Sequence, residues 1–315
     1  MKREQQNYIL EKFPTMTRID ESMKKHSSFG IGGKAKLLFL PQKKEDLKFI
    51  LKYSVNNRID TFFMGSGSNI LMSDKGFDGI LISLKKSFKN IGFNDNGEIV
   101  AGSGVMLRRM VKEAIDKNLK GLESLAGVPG TLGGALYMNA GAYGAEISNH
   151  FLSARLVNMN GEEIELTKND VKFSYRKSTF PKDCILIEAR FKFDKGDIEK
   201  IKNDKNKFSN SRVENQPLNF RSAGSVFKNP SSSLAAGYLI DQAGLKGHRK
   251  GGAMISDKHA NFIVNLGKAE SSDVVYLIKK VKEKVLSEFN VNLDLEIKLV
   301  GFEKKVLIEL GCNEL

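Results

Sequence analysis

Apolar residues recur along the chain with two different periods, which divides it into a mixed succession of predicted strands and helices. Residues 37–40 and 61–64 are short apolar runs typical of strands, and residues 44–57 carry apolar side chains at the spacing of one helix face. Open α/β sheets usually bind ligands where their strands end. The small polar residues at 65–69, directly after the second strand, therefore form a candidate ligand loop or an ordinary tight connection.

The middle of the chain changes to shorter predicted strands. They fall at residues 88–93, 98–101, 154–159, 163–166 and 184–193, with a helix at 105–118. Asn160 and Gly161 predict a hairpin between two of these strands because both residues accept positive φ. The charged stretch at residues 197–207 predicts a boundary before a last domain.

The last part of the chain begins with predicted helices and ends in a predicted strand. The longest helix is expected near residues 272–289, with Ser271 or Ser272 as its cap. Apolar and polar residues alternate over residues 293–299, so Glu296 points away from the apolar layer. From periodicity alone, Glu296 is interpreted as part of a solvated strand face.

Six glycines fall within residues 124–144. Glycine loses more conformational entropy on ordering than other residues, so this cluster predicts backbone with positive φ or a close approach to a ligand. Successive NH groups that end at a short helix favour a phosphate. Neither glycine segment matches the P-loop or the dinucleotide fingerprint. Two such loops suit a long, doubly phosphorylated cofactor better than a mononucleotide.

Composition narrows the class of protein. With 315 residues, 41% of them apolar, the chain can bury a full core in two or three domains. The net charge of +13 favours anionic partners, but the lysines are dispersed, which weakens a nucleic-acid interpretation. We expect no nucleic-acid partner, no membrane insertion and a cytoplasmic location, since no signal peptide or membrane span is apparent. The two cysteines lie far apart in the sequence, and the four histidines show no i, i+4 spacing, so neither a disulfide nor a metal site is predicted.

Several polar segments allow two interpretations each. Residues 221–230 gather many donors around a glycine and could meet an anionic or carbonyl-bearing ligand, or form a polar turn. Tyr175 and Arg176 are placed at the end of a weak helix, where a surface role is common. His259 and Asn261 are either ligand contacts or polar residues at the start of a strand.

Six motifs occur in order between residues 26 and 301. They are Met64-Gly-Ser-Gly-Ser-Asn-Ile-Leu71, Ala126-Gly-Val-Pro-Gly-Thr-Leu-Gly-Gly-Ala135, Asn139-Ala-Gly-Ala-Tyr-Gly144, Tyr175-Arg176, Gly224-Ser-Val-Phe-Lys-Asn-Pro230 and Glu296-Ile-Lys-Leu-Val-Gly301. With these motifs the chain resembles the UDP-N-acetylenolpyruvoylglucosamine reductases, flavoenzymes of peptidoglycan precursor synthesis. The segment around Ser225 is the most specific of the six.

This resemblance implies an α+β fold. The family has an FAD-binding domain of the vanillyl-alcohol-oxidase (PCMH) type, made of two α+β subdomains, and a smaller α+β substrate-binding domain. We place them at residues 1–85, 86–195 and 196–302, with a tail at 303–315 to which no function is assigned. The short stretch after Arg176 resembles the type II form of the family, which lacks an inserted loop with a substrate-binding tyrosine.

The resemblance also implies the chemistry. FAD and NADPH would be the cofactors, and UDP-N-acetylglucosamine enolpyruvate the substrate. NADPH would reduce the flavin and leave, and hydride would then pass from the flavin to C3 of the enolpyruvyl ether. Arg176 would stabilise the developing negative charge, Glu296 would orient the substrate or share in that stabilisation, and Ser225 would deliver a proton to C2.

The remaining site residues follow from the same resemblance. Substrate contacts are expected from Tyr175, Arg221, Lys228 and Asn229. Cofactor contacts are expected from Gly65, Ser66, Gly67, Ser68, Asn69, Ile70, Ala126, Gly127, Pro129, Gly130, Thr131, Gly133, Gly134, Asn139, Gly141, Ala142, Tyr143 and Gly144. No metal ligand is expected.

Two alternatives belong to other classes. One is a different FAD-dependent oxidoreductase on the same scaffold, such as an oxidase with covalent FAD, although residues 65–70 contain no histidine for the attachment. The other is a non-enzymatic anion-binding protein, which would be colourless and would bind with a steep salt dependence. For the reductase, we expect a monomer.

Overall fold

Helices and strands are interspersed along the whole chain in the computed structural model, which describes residues 1–312. The helices are α1 (Arg3–Lys12), α2 (Lys44–Asn56), α3 (Leu107–Asp116), α4 (Leu132–Tyr137), α5 (Ile198–Asn215), α6 (Ala236–Gln242), α7 (Ser271–Phe289) and α8 (Lys304–Glu309). The first strands are β1 (Thr17–Ser22), β2 (Lys34–Phe39), β3 (Thr61–Met64), β4 (Ile70–Met72), β5 (Phe77–Ser83), β6 (Ile91–Phe93), β7 (Glu98–Gly102), β8 (Gly141–Ala142) and β9 (Ala145–Glu146). The later strands are β10 (Phe151–Asn158), β11 (Glu163–Thr167), β12 (Phe173–Ser174), β13 (Lys177–Ser178), β14 (Cys184–Lys192), β15 (Arg249–Lys250), β16 (Ala253–Ile255), β17 (Ile263–Asn265) and β18 (Lys298–Val300).

Two larger sheets organise the first two thirds of the chain. The four-stranded sheet has the order β1-β2-β5-β3, and its strands β3 and β5 run parallel. The five-stranded sheet has the order β11-β10-β14-β7-β6 and is antiparallel throughout. The predicted strand-helix-strand opening is present, but β5 lies between its two strands β2 and β3.

The chain forms two compact units, each assembled from separate stretches. Unit 1 comprises Met1–Ile19, Leu37–Ser66 and Gly79–Arg212, and unit 2 comprises Asp20–Lys36, Gly67–Asp78 and Val213–Leu315. The domain boundaries placed at residues 85, 195 and 302 stay predictions.

The core of unit 1 lies on both faces of the five-stranded sheet. Along β14, Leu186 packs into the cluster formed with α3 and α4, whereas Ile185 and Ile187 pack with the apolar side chains of α2. A strand buried on both faces reads as a continuous apolar run and shows no alternation. That is why residues 184–187 carry no polar side chain.

The core of unit 2 is built by α6 and α7 over the small sheet β15-β16-β17. The apolar stripe of α7 includes Leu277, Ile278 and Val281, all buried. The predicted serine cap is wrong, since the N-cap is Glu270 and the hydroxyl of Ser271 donates to the Asp74 carboxylate at 2.7 Å. The same hydroxyl accepts from the NH of Asp74 at 3.0 Å, so both of its hydrogen bonds go to Asp74 and none to the first turn of α7.

Three other predicted elements differ from the structure. The strand predicted from Phe88 begins at Ile91, because Phe88 has φ +51° and turns the backbone. The charged stretch at residues 197–207, where no helix was predicted, forms from Ile198 onward the first part of the 18-residue helix α5. The strand predicted at residues 293–299 is reduced to β18, although its alternating burial remains.

The hairpin predicted at Asn160 and Gly161 is confirmed between β10 and β11. Only Gly161 has positive φ, at +75°. Within residues 1–312, no helix combines the length and the apolar character that crossing a bilayer requires.

Candidate functional site

The first glycine loop begins where β3 ends, as the sequence predicts. In unit 1, the carbonyl of Gly65 accepts a hydrogen bond from the Ser83 hydroxyl at 3.0 Å. A Cβ at Gly65 would lie 2.3 Å from Oγ1 of Thr131, so a side chain would not fit there without a shift. The two predicted glycine segments are therefore in contact at this point.

Positive φ angles, predicted for the glycine cluster, occur at three of its six glycines. They are Gly127 at +84°, Gly130 at +137° and Gly144 at +84°. Tyr143 also has positive φ, +52°, and shares with Gly144 the two-residue turn of the β8-β9 hairpin. The remaining glycines lie in α4 and β8. Irregular backbone before and after α4 thus explains half of the cluster.

The first amides of α4 are already paired within the protein. The NH groups of Leu132 and Gly133 donate to carbonyls of the loop after β7, at 2.8 and 3.0 Å. The NH of Gly134 points to Oγ1 of Thr131 at 3.5 Å. These three amides are already used within the protein, so a phosphate would have to meet other NH groups of the segment, and the predicted phosphate site stays a prediction.

Several buried polar side-chain atoms of unit 1 have no hydrogen-bond partner. Among the described residues, such side-chain atoms are Ser66 Oγ, Ser87 Oγ, Ser103 Oγ, Ser124 Oγ, Asn139 Oδ1, and Nε and Nη1 of Arg212. All of them belong to unit 1. Leaving a buried polar atom unpaired costs about 1–3 kcal/mol, and folded proteins avoid it. Ser124 and Asn139 lie in the glycine cluster, and Ser103 and Arg212 lie against its Gly133 and Gly127. The unpaired atoms of these four residues indicate a site that a polar ligand completes.

Arg176 sits on a strained turn. The weak helix predicted to end there is wrong: Tyr175 and Arg176 form the two-residue turn between β12 and β13. Arg176 has φ +55°, which costs a residue with a side chain roughly 1–2 kcal/mol. Its Nη2 donates to the carbonyl of Gly141 at 3.0 Å, and its guanidinium lies 4.9 Å from the centre of the Tyr175 ring. The guanidinium is therefore held next to the glycine cluster.

Asn139 joins the same two hairpins. It is fully buried with φ +43°, and its Nδ2 donates to Glu146 at 2.6 Å and to the carbonyl of Ser174 at 3.0 Å. This side chain connects β9 with β12, and its bond to Ser174 spans 35 residues of sequence. It is a support for the turn that carries Arg176.

In unit 2, the segment of Ser225 is fixed by a buried amide. Asn261 accepts a hydrogen bond from the NH of Phe227 at 2.9 Å and donates to its carbonyl at 2.8 Å. The carbonyl of Asn261 also accepts from the NH of Val226 at 2.8 Å. Of the two interpretations of Asn261, these contacts favour the polar residue of a strand entry. Ser225 itself is half-buried, and its backbone forms an isolated antiparallel β-bridge with Phe262.

His259 belongs to the same structural layer. Its Nδ1 accepts from the NH of Asn261 at 3.3 Å, and its ring packs 4.8 Å from the ring of Phe262. Burial lowers the pKa of His259 below its usual value. A neutral imidazole that accepts a main-chain hydrogen bond fits a structural role at the entry of β17.

Glu296 lies beside the segment of Ser225. The NH of Glu296 donates to the carbonyl of Val226 at 2.8 Å, and Asn69 Nδ2 donates to the carbonyl of Glu296 at 3.1 Å. Just beyond, Lys298 donates from its NH to the carbonyl of Asn69 at 2.9 Å. Within unit 2, the sequence-predicted residues Ser225, Glu296 and Asn69 are thus on adjoining backbone segments.

A loop from early in the chain supports the second half of the first glycine loop. Ser28 donates to the carbonyl of Gly67 from its NH and hydroxyl, at 3.0 and 3.3 Å, and its hydroxyl also lies 2.7 Å from the carbonyl of Ser222. Gly67 has φ +73°, and a Cβ there would lie 2.1 Å from the carbonyl of His26. Only glycine fits this position.

Arg221 holds the same early loop through its guanidinium. It donates to the carbonyls of Lys24, Ser27 and Ser28 at 3.0, 2.7 and 3.3 Å. These bonds give Arg221 a supporting role next to the segment of Ser225. Its predicted contact with substrate stays a prediction.

The other predicted substrate contacts lie at two places. The NH of Lys228 donates to the carbonyl of Asp294 at 2.9 Å, while Asn229 accepts from the NH of Ala236 at the start of α6, at 3.1 Å. Tyr175 lies in unit 1 and is half exposed. Lys228 and Asn229 are therefore brought near Ser225, and Tyr175 near Arg176.

The predicted residues divide between the two units. Gly65, Ser66, residues 126–144, Tyr175 and Arg176 belong to unit 1, whereas residues 67–70, Ser225 and Glu296 belong to unit 2. Within residues 1–312, no group of three histidine, cysteine or acidic side chains could hold a metal ion.

Sequence reasoning missed Ser103, Ser124 and Arg212. The glycines on either side of Ser103 were a usable signal, since a Cβ on Gly102 or on Gly104 would lie 2.0 Å from a main-chain oxygen. Ser124 stands just ahead of the motifs. Arg212 lies in a charged helix, where nothing in the sequence distinguishes it from its neighbours.

Family models match two regions of the chain. A model described as an FAD binding domain matches residues 35–167, and one described as the UDP-N-acetylenolpyruvoylglucosamine reductase C-terminal domain matches residues 216–300. Together with the incomplete polar site in unit 1, these matches define the class: the chain is a flavoprotein with an FAD-binding domain of the vanillyl-alcohol-oxidase type.

Relatives of nearly equal length define the particular family. The UDP-N-acetylenolpyruvoylglucosamine reductase of Alkaliphilus oremlandii is 40% identical over 286 residues, which is 90% of this chain and 93% of the relative. That of Caldicellulosiruptor bescii is 43% identical over 296 residues, 92% of each chain. The crystal structure of the Thermus caldophilus reductase covers 90% of this chain and 99% of its own, with 33% identity and a TM-score of 0.77. The chain belongs to the UDP-N-acetylenolpyruvoylglucosamine reductase family, which confirms the resemblance and the α+β fold class.

The unpaired atoms of unit 1 fit FAD chemically. The serine hydroxyls and the Arg212 guanidinium are donors that suit phosphate oxygens and ring carbonyls, and Oδ1 of Asn139 is an acceptor for an NH or OH group. Gly127, Pro129 and Gly134 are exposed along the same segment, where small residues permit a close approach. The residues present therefore match the cofactor that the family model implies.

Proposed function

We propose that this protein reduces the enolpyruvyl group of UDP-N-acetylglucosamine enolpyruvate to UDP-N-acetylmuramate, with NADPH as the reductant and FAD as the bound cofactor. When bound, FAD accepts a hydride from NADPH and passes it to C3 of the enolpyruvyl group. The observation that carries the proposal is the fixed pairing of the Ser225 and Glu296 segments, in a chain whose other unit has an incomplete polar site for FAD. The product would enter peptidoglycan precursor synthesis in the cytoplasm.

Residues on the two glycine segments would hold the cofactor. These are Gly65, Ser66, residues 67–70 and residues 126–144. The contact between Gly65 and Thr131 supports a joint role for the segment that begins at Gly65 and the segment at residues 126–144. Ser103, Ser124 and Arg212 join the set because their buried atoms have no other partner.

Arg176 would stabilise negative charge on the substrate. Hydride addition to C3 leaves an electron pair on C2 that is delocalised into the adjacent carboxylate. A guanidinium fixed in advance lowers the energy of this charge, and loss of such a group typically costs about 3 kcal/mol of transition-state stabilisation. The bond to Gly141 and the Tyr175 ring support this assignment, because both orient the guanidinium before a substrate arrives.

Ser225 would deliver the proton to C2. A hydroxyl is a weak acid, but the carbon that receives the proton is strongly basic, so position matters more than acidity. A well-placed general acid contributes about 10²-fold or more. The double hydrogen bond of Asn261 to Phe227, two residues away, supports the role, since it immobilises the backbone that carries the hydroxyl.

Glu296 would orient the substrate or stabilise its enol form. The NH of Glu296 donates to the carbonyl of Val226, and the side-chain amide of Asn69 donates to the carbonyl of Glu296. The backbone of Glu296 is therefore held on both sides. Lys228, Asn229, Tyr175 and Arg221 are proposed as further substrate contacts. We propose that the enzyme acts as a monomer.

The test separates the two half-reactions under anaerobic conditions. The purified protein, loaded with FAD, should be bleached by NADPH and recover its colour on addition of UDP-N-acetylglucosamine enolpyruvate. The Ser225→Ala variant should be bleached at the normal rate but should recover its colour about 10²-fold more slowly. Ser232→Ala, on the exposed loop that follows, is the matched control and should behave as the unmodified protein.

Three outcomes would count against the proposal. Equal loss in both half-reactions would remove Ser225 from the role of proton donor. A flavin bleached by NADPH but not reoxidised by this substrate would indicate a different FAD-dependent oxidoreductase. A protein that does not take up FAD would exclude the flavoenzyme altogether and leave the anion-binding alternative.

A further inference from the structure

Arg212, the last residue of unit 1, has an incompletely paired guanidinium inside the protein. Its Nε and Nη1 are buried and form no hydrogen bond. Its Cδ would lie 3.3 Å from a Cβ at Gly127, so the side chain lies against the glycine segment. One helical turn earlier in α5, Phe208 stacks on Tyr143 with 4.7 Å between the ring centres. The helix is thus anchored on the loop at the point where Arg212 enters it.

The charges around Arg212 do not neutralise it. Burial lowers the pKa of the guanidinium, the Tyr143 phenol opposes this with a smaller effect, and the positive charge of Arg176 adds a still smaller lowering. A buried charge that lacks a counter-charge costs several kcal/mol in real proteins. A protein that keeps such a group beside a ligand loop gains from it only when a ligand brings negative charge.

We propose that the Arg212 guanidinium faces bound FAD and compensates the negative charge that the flavin acquires on reduction. The inference rests on the proposed function and adds a residue that none of the six motifs contains. Hydride transfer brings one proton and two electrons to a neutral ring, so the reduced ring carries one negative charge until it gains another proton. A fixed guanidinium therefore binds the reduced form more tightly than the oxidised form.

The position of Arg212 favours the cofactor over the substrate as its ligand. Its contact is with Gly127, in the segment proposed to hold FAD, and its two unpaired nitrogens are already shielded from solvent. Both arginines are half-buried as residues, but Arg176 stands on the β12-β13 hairpin turn, where its Nη2 donates to the carbonyl of Gly141. The two arginines would therefore divide the work, with Arg212 serving the flavin and Arg176 the substrate.

The first test measures the redox potential of the bound flavin without substrate. Arg212→Met, Arg212→Gln and Arg212→Lys are compared with Lys207→Met, which removes an exposed charge from the same helix. The two neutral variants should bind reduced FAD at least tenfold less tightly relative to oxidised FAD, which lowers the two-electron potential by about 30 mV or more. The flavin potential of Arg212→Lys should lie close to that of the unmodified protein, and the flavin potential of Lys207→Met should not change.

The second test measures denaturation with and without FAD. Removing an uncompensated buried charge should make the FAD-free Arg212→Met protein unfold at a higher denaturant concentration than the unmodified FAD-free protein. The same substitution should reduce the additional stability that FAD confers. A side chain that only fills space would lower stability in both states.

Several results would overturn the inference. An unchanged flavin potential in both neutral variants would do so, and so would a defect confined to substrate binding. Equal weakening of oxidised and reduced FAD would show a phosphate contact without charge compensation. These outcomes count against Arg212 only if the unmodified protein is bleached by NADPH and reoxidised by substrate, because failure of those two steps would instead refute the proposed function.

Discussion

The two compact units differ in whether their buried polar side-chain atoms have hydrogen-bond partners. Around the glycine cluster of unit 1, buried side-chain atoms of Ser66, Ser103, Ser124, Asn139 and Arg212 have no partner. In unit 2, the segment of Ser225 is fixed by Asn261, and the adjoining early loop is fixed by Ser28 and Arg221. Among the described residues, no buried unpaired side-chain atom was found in unit 2.

This difference corresponds to two ways of building a functional site. A cofactor that stays bound can supply partners to buried atoms, so the protein leaves them open. A substrate that enters and leaves at each turnover cannot do this, so the groups that act on it must be positioned by the protein alone. The units therefore differ in what they require to be complete.

The largest expected effect concerns Asn261. Asn261→Leu removes two buried hydrogen bonds and leaves the NH and carbonyl of Phe227 unpaired, at about 1–3 kcal/mol each, or about 2–6 kcal/mol in total. Because unit 2 is complete without cofactor, the loss should be the same with and without FAD. Chemical denaturation measures both values, with Asn292→Leu on an exposed loop as the control. A loss below 1 kcal/mol, or one that disappears on FAD binding, would contradict the comparison.

Two neighbouring glycines of α4 provide an intermediate effect with opposite signs. Gly134 is exposed, and a Cβ there would have no atom closer than 3.6 Å, so Gly134→Ala should stabilise the FAD-free protein by about 0.5–1 kcal/mol. The same methyl group should weaken FAD binding if the cofactor approaches this face of the helix. Gly133→Ala would bring a Cβ to 3.1 Å from Cβ of Ser103 and should destabilise both forms. Titration with FAD and denaturation of both forms measure these changes.

The result for Gly134→Ala also tests two assumptions, that the cofactor approaches α4 and that a methyl group fits at Gly134. Unchanged FAD affinity together with higher stability would show that the cofactor does not approach α4. Lower stability in the FAD-free protein would show that the space seen at Gly134 is not available to a methyl group.

The smallest effect lies far from both sites and serves as a baseline. Glu163 forms ion pairs with Lys48 at 2.7 Å and Lys44 at 2.9 Å, and their hydrogen bonds lower the pKa of its carboxyl. A carboxyl with a lowered pKa in the folded state stabilises the protein above its unfolded pKa, and this contribution disappears as pH falls through the folded pKa. Glu163→Gln should therefore cost about 0.5 kcal/mol at pH 7 for such partly exposed pairs.

Denaturation of both proteins as a function of pH checks this expectation. The difference between them should vanish at acidic pH, and FAD affinity should not change. A difference that persists in acid would show that Glu163 acts through packing and not through its charge.

Regular elements could be predicted from the sequence because their signals are local. The helix at residues 44–57 and the strand at 61–64 match α2 and β3 almost residue for residue. Periodicity reports which face of an element is buried, and it remained correct even where the predicted strand at residues 293–299 was reduced to β18. The glycine segments were also recognisable, because so many glycines in a short stretch indicate backbone with positive φ or a close approach to a ligand.

The rest depended on contacts between distant parts of the chain. Asp74 takes the hydroxyl of Ser271, and carbonyls near residue 104 take the first amides of α4. Neither partner is visible in a sequence window. The turn at Arg176 was missed because a non-glycine residue with positive φ contradicts local preference, as happens at functional sites. The position of Arg212 depends on how α5 packs on the glycine loop.

Hydrogen exchange of the backbone amides, followed with and without FAD, tests the contrast between the units most directly. On FAD binding, we predict that amides in residues 126–144 exchange about tenfold more slowly, or more, relative to those in residues 225–229 and 261–265. The region with unpaired polar atoms should gain protection, and the already satisfied region should change little. Equal protection of both regions, or greater protection around Ser225, would contradict the view that unit 1 is completed by its cofactor and unit 2 by its own hydrogen bonds.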